Sequence, residues 1–508
     1  MLQLSFTNNI HATAAKTHIM SQQRSIHPTR LHSYCTASSS TAASISNSQQ
    51  SDEQQSNNIS LFPPLSQSVA AIVFGDGSRE SSKSLYPLTK RRSEGAIPIA
   101  ANYRIIDAVV SNCINSNITK IYALTQFNST SLNSHLARAY SGVGLVGRQG
   151  FDVEVIAAYQ SPEDQGWFQG TADAVRRCLW VLEDQHSAIE FLILPGHHLY
   201  RMDYQKLIAA HRNSSADITL AVASSSTHRT RNNRHPSFGF VKVNSENQVL
   251  EFREKPESEQ LYPTAKAESS RKFKDGTSVS SYGSMGIYVI KRDAMIKLLK
   301  EHFPKANDFA TEIIPGAINM GMKVQSYIFD GYWEDMTSIE AFYRASMEST
   351  KKSTSGYNFY DRDSMVYTLP KCLPPSLIMD AVITDSIIGD GCILNRCNIK
   401  GSVVGVRTRI GDGTVIEDSV LMGADIYQPT TEQRSGREGK GIDIPIGIGE
   451  GSYIKKAIVD KNVQIGKNVR ITNRDNVQEA NREAFGYMIS GGIVIVLRSA
   501  AIPDGSIL

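Results

Sequence analysis

Between residues 69 and about 345, short apolar runs alternate with stretches whose apolar positions recur every three or four residues. The segments 70–75, 120–126, 190–196 and 218–224 read as short buried strands. Between them, Ile106, Val109, Val110, Cys113 and Ile114 mark one helical face. Val175, Cys178, Leu179 and Leu182 mark another, opening at Thr171 as its N-cap. This alternation predicts an α/β fold: an open, doubly wound, mostly parallel sheet with helices on both faces. In such sheets the ligand crevice lies beyond the carboxyl ends of the strands, which points to the residues following Phe74, Gln126 and Leu194.

A Ser/Lys-rich stretch at 348–356 and a Pro-bearing segment at 369–376 mark a join, and beyond it the period changes. Aliphatic residues recur about every six positions at Val382, Ile388, Leu394, Ile399, Val404, Ile410, Ile416 and Met422. The series resumes at Ile442, Ile448, Ile454, Val459, Ile465 and Ile471, and Gly follows Ile388, Ile410, Ile448 and Ile465. A hexapeptide period predicts a parallel β-helix, one hexad to each side of a triangular coil. A sandwich of short alternating strands does not produce that period. The charged and polar run 425–440 predicts a loop leaving one coil, and 492–497 a buried strand. The expected organisation is a leader and linker over 1–66, an α/β domain over 67–345, a linker over 346–376 and a β-helix over 377–508.

Composition changes this picture mainly at the amino end. The chain has 508 residues, more than one core accommodates, with ordinary hydrophobic and charged fractions. No apolar run reaches the roughly 18 residues of a membrane-spanning helix. The first 51 residues are rich in Ser, Thr, Ala and Asn, carry Lys16, Arg24 and Arg30, and contain no acid. That is the composition of an organellar transit peptide, shared by disordered tails. Without those three cations the formal charge of +3 falls to zero, so it is no nucleic-acid footprint. The six cysteines show no metal-ligand spacing: Cys392 and Cys397 lie five apart, with no His or second Cys pair to complete a zinc set. Cys113 and Cys178 fall on apolar helical faces and are expected to be buried, in keeping with a reducing compartment.

Five stretches carry a family resemblance. They are Ala101-Asn102-Tyr103-Arg104, Trp167-Phe168-Gln169-Gly170-Thr171-Ala172-Asp173-Ala174-Val175-Arg176, Leu199-Tyr200-Arg201-Met202-Asp203-Tyr204, Ser284-Met285-Gly286-Ile287-Tyr288 and Gly331-Tyr332-Trp333-Glu334-Asp335. Together they closely resemble the small subunits of plant ADP-glucose pyrophosphorylase (glucose-1-phosphate adenylyltransferase), over nearly everything from Val69 on. The resemblance implies a Rossmann-like nucleotidyltransferase domain and a left-handed parallel β-helix. It implies the starch-precursor reaction, ATP and glucose 1-phosphate giving ADP-glucose and pyrophosphate, with Mg²⁺. It also implies a chloroplast or plastid-stroma address, homo- or heterotetramers of small and large subunits, and control by 3-phosphoglycerate and phosphate.

The chemistry is an in-line attack on the α-phosphorus, which needs amides and cations around the triphosphate and carboxylates for Mg²⁺. The family's phosphate loop is Gly-Gly-Gly-x-Gly-Thr-Arg, followed by Leu, a variable residue and Pro-Leu-Thr. Here residues 75–84 are three residues longer, carry only Gly75 and Gly77, and place Asp76 and Glu80 where polyphosphate should sit. Arg79 and Lys83 are out of register with the family Arg. The family's Arg-Ala-Lys-Pro-Ala-Val-Pro is Arg92-Ser93-Glu94-Gly95-Ala96-Ile97-Pro98, so Glu94 replaces the Lys that meets the phosphates. The family's Gly-Asp-His-Leu-Tyr is Gly196-His197-His198-Leu199-Tyr200, so His197 replaces a metal Asp and leaves Asp335 as the matching catalytic and metal carboxylate. Imidazole is a poor ligand for hard, oxygen-preferring Mg²⁺, so its binding is expected to be weakened. Adjacent His197 and His198 are expected on opposite faces of a strand, which argues against a softer metal.

The sugar side is better matched. By resemblance Glu254 and Lys255 stand in the Glu-Lys-Pro motif whose Lys pairs with the glucose phosphate, Ser284 and Asp335 match sugar contacts, and Gln160, Gly170 and Thr171 match the base-side segment. Tyr159 replaces a family Gln. Arg104, Lys461 and Arg498 match effector contacts, while Ser134 replaces an effector Arg. The stretch 57–67 lacks the family's redox cysteine, so no disulfide between small subunits is expected. Three readings follow: a working adenylyltransferase with an unusual loop, a non-catalytic subunit that still assembles, and another sugar-nucleotide transferase-like regulatory protein, such as a GDP-mannose pyrophosphorylase relative. Three losses acting on the same phosphates favour the second.

Overall fold

A computed structural model describes residues 68–76, 85–140, 151–158, 166–184, 187–223, 239–254, 280–351, 356–428 and 444–508. The first expected strand forms at Val69–Phe74, between Lys120–Thr125 and Glu190–Pro195 and parallel to both. Asp152–Ala157 extends this parallel half beyond Lys120–Thr125. The other half turns on Ser280–Lys291, a long strand antiparallel to Glu190–Pro195, Ile218–Ala223 and Phe240–Val243. Val324–Phe329 runs parallel to Ile218–Ala223, and Val249–Arg253 closes the edge against Phe240–Val243. The result is a nine-stranded mixed sheet, parallel around the first strand.

Period-two alternation explains why the first strand is apolar throughout. Ala70, Ile72 and Phe74 enter one core with Val175, Cys178 and Leu182. Val69, Ala71 and Val73 enter the opposite core with Ile106, Val109, Val110, Cys113 and Ile114 of the helix Ile105–Asn115. Val69–Phe74 is covered on both faces, so both of its register positions carry apolar residues.

The expected N-cap at Thr171 is corrected. Gly170 caps the helix Thr171–Arg177, and Cys178 separates it from a second short helix, Leu179–Asp184. The Thr171 hydroxyl is used elsewhere: it donates to Asp308 at 2.8 Å and accepts from the Phe309 amide at 3.0 Å. Position 170 must be glycine, because a Cβ there would stand 2.4 Å from the Asn307 carbonyl oxygen.

Beyond the join the chain coils into three sheets that are parallel from turn to turn, one of them extended by the antiparallel strands Tyr487–Ser490 and Ala480–Arg482. Along one of them Ile383, Ile399, Ile416, Ile454 and Ile471 stack in register. Leu394, Val404, Ile410, Ile448, Val459 and Ile465 meet the last four of these in one buried core. Two hexad assignments are corrected. Val382 points outward at 61% exposure, and its neighbour Ile383 turns in. Leu421 takes the inward place expected for Met422. Ile442 and most of the 425–440 loop lie outside the described residues.

Met422 instead joins a core shared by the two parts of the fold. Val403, Val420, Met422, Ile458, Ile493 and Ile495 pack there with Ile97, Ile105, Ile339 and Phe342. The strand Ile493–Val496 therefore alternates between two cores, Val494 and Val496 facing the coil interior, which is why that run is uninterruptedly apolar. Arg92 and Asp460 add a buried ion pair across the same joint.

Candidate functional site

Three glycines bring backbones together at the carboxyl ends of the central strands. The Gly75 amide donates to Leu124 O at 2.8 Å, and the Gly196 amide to Phe74 O at 2.9 Å. A Cβ on Gly196 would lie 2.3 Å from Phe74 O, and one on Gly95 would lie 3.0 Å from Gly75 O. This close approach places Asp76, the buried turn Glu94–Ala96 and His197 around one crevice, where the topology rule put it.

Glu94 is 1% exposed, and its Oε2 lies 3.7 Å from His197 Nδ1. On the other side of the ring, His197 Nε2 lies 3.8 Å from Asp335 Oδ1. His198 Nε2 approaches the same oxygen at 3.4 Å, and its Nδ1 accepts a 3.2 Å hydrogen bond from the Trp333 indole. The frame is a small antiparallel pair, His198–Tyr200 with Trp333–Asp335, which sets Asp335 opposite His198.

The two histidines do not diverge as expected, and that expectation is corrected. Only His198 belongs to the strand; His197 lies in the turn before it, where period-two alternation does not apply. Their rings meet edge to face with centroids 4.6 Å apart, and one donor atom from each, with an oxygen of Asp335, falls within 4.8 Å of the others.

The crevice is rich in acid. Burial pushes the Asp76 carboxyl up to about 7, against backbone hydrogen bonds from Gln126 and Glu94 that favour ionisation. On the other face of the Trp333–Asp335 strand, outside the crevice, burial likewise raises Glu334 to about 7, although Arg344 pairs with it. For Mg²⁺ this is a poor fit: among the described residues the metal-competent cluster offers two imidazoles to one carboxylate, where the ion takes oxygen.

Of the other expected contacts, Gly77, Lys255 and Gln160 lie outside the described residues, as do Tyr159, Arg79 and Lys83. Glu254 and Ser284 are brought together around Gly239. The Ser284 amide donates to Gly239 O at 2.8 Å, and a Cβ on Gly239 would stand 2.8 Å from Glu254 Oε2. Gly170 and Thr171 sit at the helix start already described.

The three expected effector residues converge as well, with two partners that sequence reasoning missed. Lys461 Nζ lies 2.6 Å from Asp425 Oδ1, and an Arg498 guanidinium nitrogen 2.8 Å from Asp425 Oδ2. Burial raises the Asp425 carboxyl, but Lys461, Asn462 and Arg498 more than offset this and hold it at about 2. Lys371 is pushed down to about 8 by burial, then by Lys461 and Arg104. Arg104 itself donates to Ser131 O at 2.6 Å. The only sequence signal for Lys371 was its place in the Pro-bearing join, and Asp425 stood unremarked at the start of the charged loop.

A doubly wound sheet with a crevice at its strand ends, joined to a hexapeptide coil, places the chain in the nucleotidyltransferase fold class. The family model described as Nucleotidyl transferase matches residues 71–352, and the GLGC left-handed parallel beta-helix domain matches 371–507. The inactive glucose-1-phosphate adenylyltransferase small subunit 2, chloroplastic, of Arabidopsis thaliana is 61% identical over 445 residues, 88% of this chain and 90% of that one. The chloroplastic/amyloplastic small subunit of Triticum aestivum is 50% identical over 456 residues, 89% of this chain and 94% of that one. The chain belongs to the plant glucose-1-phosphate adenylyltransferase (ADP-glucose pyrophosphorylase) small-subunit family.

Proposed function

We propose that this chain is a non-catalytic small subunit of plastid ADP-glucose pyrophosphorylase: it folds, assembles with large or small subunits of that enzyme, and does not transfer the adenylyl group. One observation carries the reading. Buried Glu94 stands against His197, beside Asp335, where the family resemblance calls for a cation on the phosphates and a second carboxylate on Mg²⁺. The name of the Arabidopsis relative, an inactive small subunit, supports it. The sugar-phosphate side, with Glu254 and Ser284 together at Gly239, is the better preserved half, so glucose 1-phosphate binds while Mg-ATP binds weakly. The plastid address rests on the composition of residues 1–51 and on the chloroplastic names of the relatives. The division into 1–66, 67–345, 346–376 and 377–508 belongs to the same proposal.

The test is synthesis and pyrophosphorolysis of ADP-glucose by the chain, alone and with a large subunit. No measurable turnover is expected. Replacing residues 75–84 by a family-length Gly-rich loop, with Glu94→Lys, Gly95→Pro and His197→Asp, is expected to raise activity by orders of magnitude. Each single change is expected to do little, because groups serving the same phosphates act as a unit. Gly95→Pro in particular removes the amide that donates to Gly75 O at 3.2 Å, so it needs the new loop. Turnover by the unaltered chain within tenfold of an ordinary small subunit overturns the proposal.

A further inference from the structure

His197, His198 and Asp335 are the wrong ligands for one ion and suitable ligands for another. Around an ion with tetrahedral bonds of about 2.0–2.1 Å, neighbouring donor atoms stand roughly 3.3–3.4 Å apart. The His198–Asp335 edge, at 3.4 Å, already has that length. The His197–Asp335 edge is 3.8 Å, and the remaining edge is within 4.8 Å. A small rotation of the His197 side chain, which sits in a turn rather than a ladder, closes both. Glu94 then takes a supporting place. With a metal on Nε2, the other ring nitrogen of His197 must carry a proton, and the Glu94 carboxylate lies 3.7 Å from that nitrogen. A carboxylate behind a ligating histidine fixes its tautomer and strengthens it as a donor.

We propose that His197, His198 and Asp335 form a binding site for a borderline divalent transition metal, Zn²⁺ above all, in the place where the family resemblance puts Mg²⁺. Nitrogen-rich sites favour first-row metals late in the series over Mg²⁺, which holds to oxygen and water. The inference stands apart from the non-catalytic reading, because metal affinity and turnover are measured separately. The site has a built-in reporter. The Trp333 indole donates to His198 Nδ1, so a metal on His198 Nε2 requires the ring proton to move to Nδ1 and the indole to give up its acceptor.

The experiment uses the full chain stripped of metal, titrated with Zn²⁺, Ni²⁺ and Mg²⁺ against a chromophoric chelator, with indole fluorescence followed in parallel. One Zn²⁺ per chain is expected, bound far more tightly than Mg²⁺. His197→Ala and Asp335→Asn are each expected to weaken it roughly tenfold or more. His197→Asp, which restores two carboxylates, is expected to lower Zn²⁺ affinity and raise Mg²⁺ affinity. Ni²⁺ is expected to quench fluorescence in the unaltered chain and much less in Trp333→Phe. If His197→Ala fails to fold, the Asp335→Asn and His197→Asp comparisons carry the same test. Zn²⁺ affinity unchanged in these variants, or Mg²⁺ bound as tightly as Zn²⁺, overturns the proposal.

Discussion

At the scale of single residues, sign matters more than position. Two unit charges about 4 Å apart at an effective dielectric near 20 interact by about 4 kcal/mol, so exchanging a lysine for Glu94 turns an attraction of that size for phosphate into a repulsion. Burial holds Asp76 neutral up to about pH 7, so above that pH it adds a further negative charge to the crevice beside Glu94 and Asp335. In the β-helix part the arrangement is opposite: Asp425 neutralises a group of cations. Its carboxyl falls from the ordinary 3.8 to about 2 on folding, so the stability it contributes is fully present above pH 3.8 and is lost as pH falls through about 2. Asp425→Asn is therefore expected to melt lower than the unaltered chain at pH 6, with the gap closing as pH is lowered toward 2. Added inorganic phosphate is expected to stabilise the variant more than the unaltered chain, since Lys461 and Arg498 lose their internal anion. Parallel thermal melts of the two proteins across pH and phosphate check both outcomes.

At the scale of elements, the coil is held by columns of aliphatic side chains, one of them isoleucine throughout. Ile399, Ile416, Ile454 and Ile471 are fully buried and adjacent on successive turns, so each fills the space above its neighbour. Ile416→Ala is expected to cost about 2–5 kcal/mol, the lost transfer energy plus the cavity. Val382→Ala, on the outward-facing position of the first coil, is expected to change stability by no more than about 0.5 kcal/mol. Urea denaturation of the two variants distinguishes this register from the one that a strict six-residue count from Val382 implies.

At the scale of the whole molecule, the joint between the sheet and the coil is packed like a core. Ile105, Ile339 and Phe342 from one part meet Val420, Ile458 and Ile495 from the other. The buried Arg92–Asp460 pair crosses it two residues from Glu94 and one from Lys461, so one ion pair adjoins both the crevice and the cation group. The first coil leaves Leu377, Ile378 and Met379 exposed side by side, apolar area of the kind that subunit contacts cover. Co-expression with a large subunit is expected to yield a stable oligomer, a tetramer by resemblance, on size-exclusion chromatography with light scattering. A monomer that ignores the large subunit overturns the assembly reading.

Period and motif are local properties, and what depends on them was legible without coordinates. The strands at Val69, Lys120, Glu190 and Ile218, the face of the helix Ile105–Asn115 and most hexads stand where apolar spacing put them, because burial on one or both faces imposes that spacing. The charge reversal at Glu94 was equally plain, since it needs only a motif to be compared with. Sequence by itself thus determined the fold, the family and the substitutions in the phosphate site. Tertiary structure alone decided how those residues face one another. The convergence of His197 and His198 on Asp335 depends on a turn ending one residue before a strand begins, which no side-chain period records. Asp425 meets Lys461 and Arg498 because coils far apart in the chain are neighbours in space, and Lys371 reaches that group from the join. Composition carries no distance, and these contacts are distances.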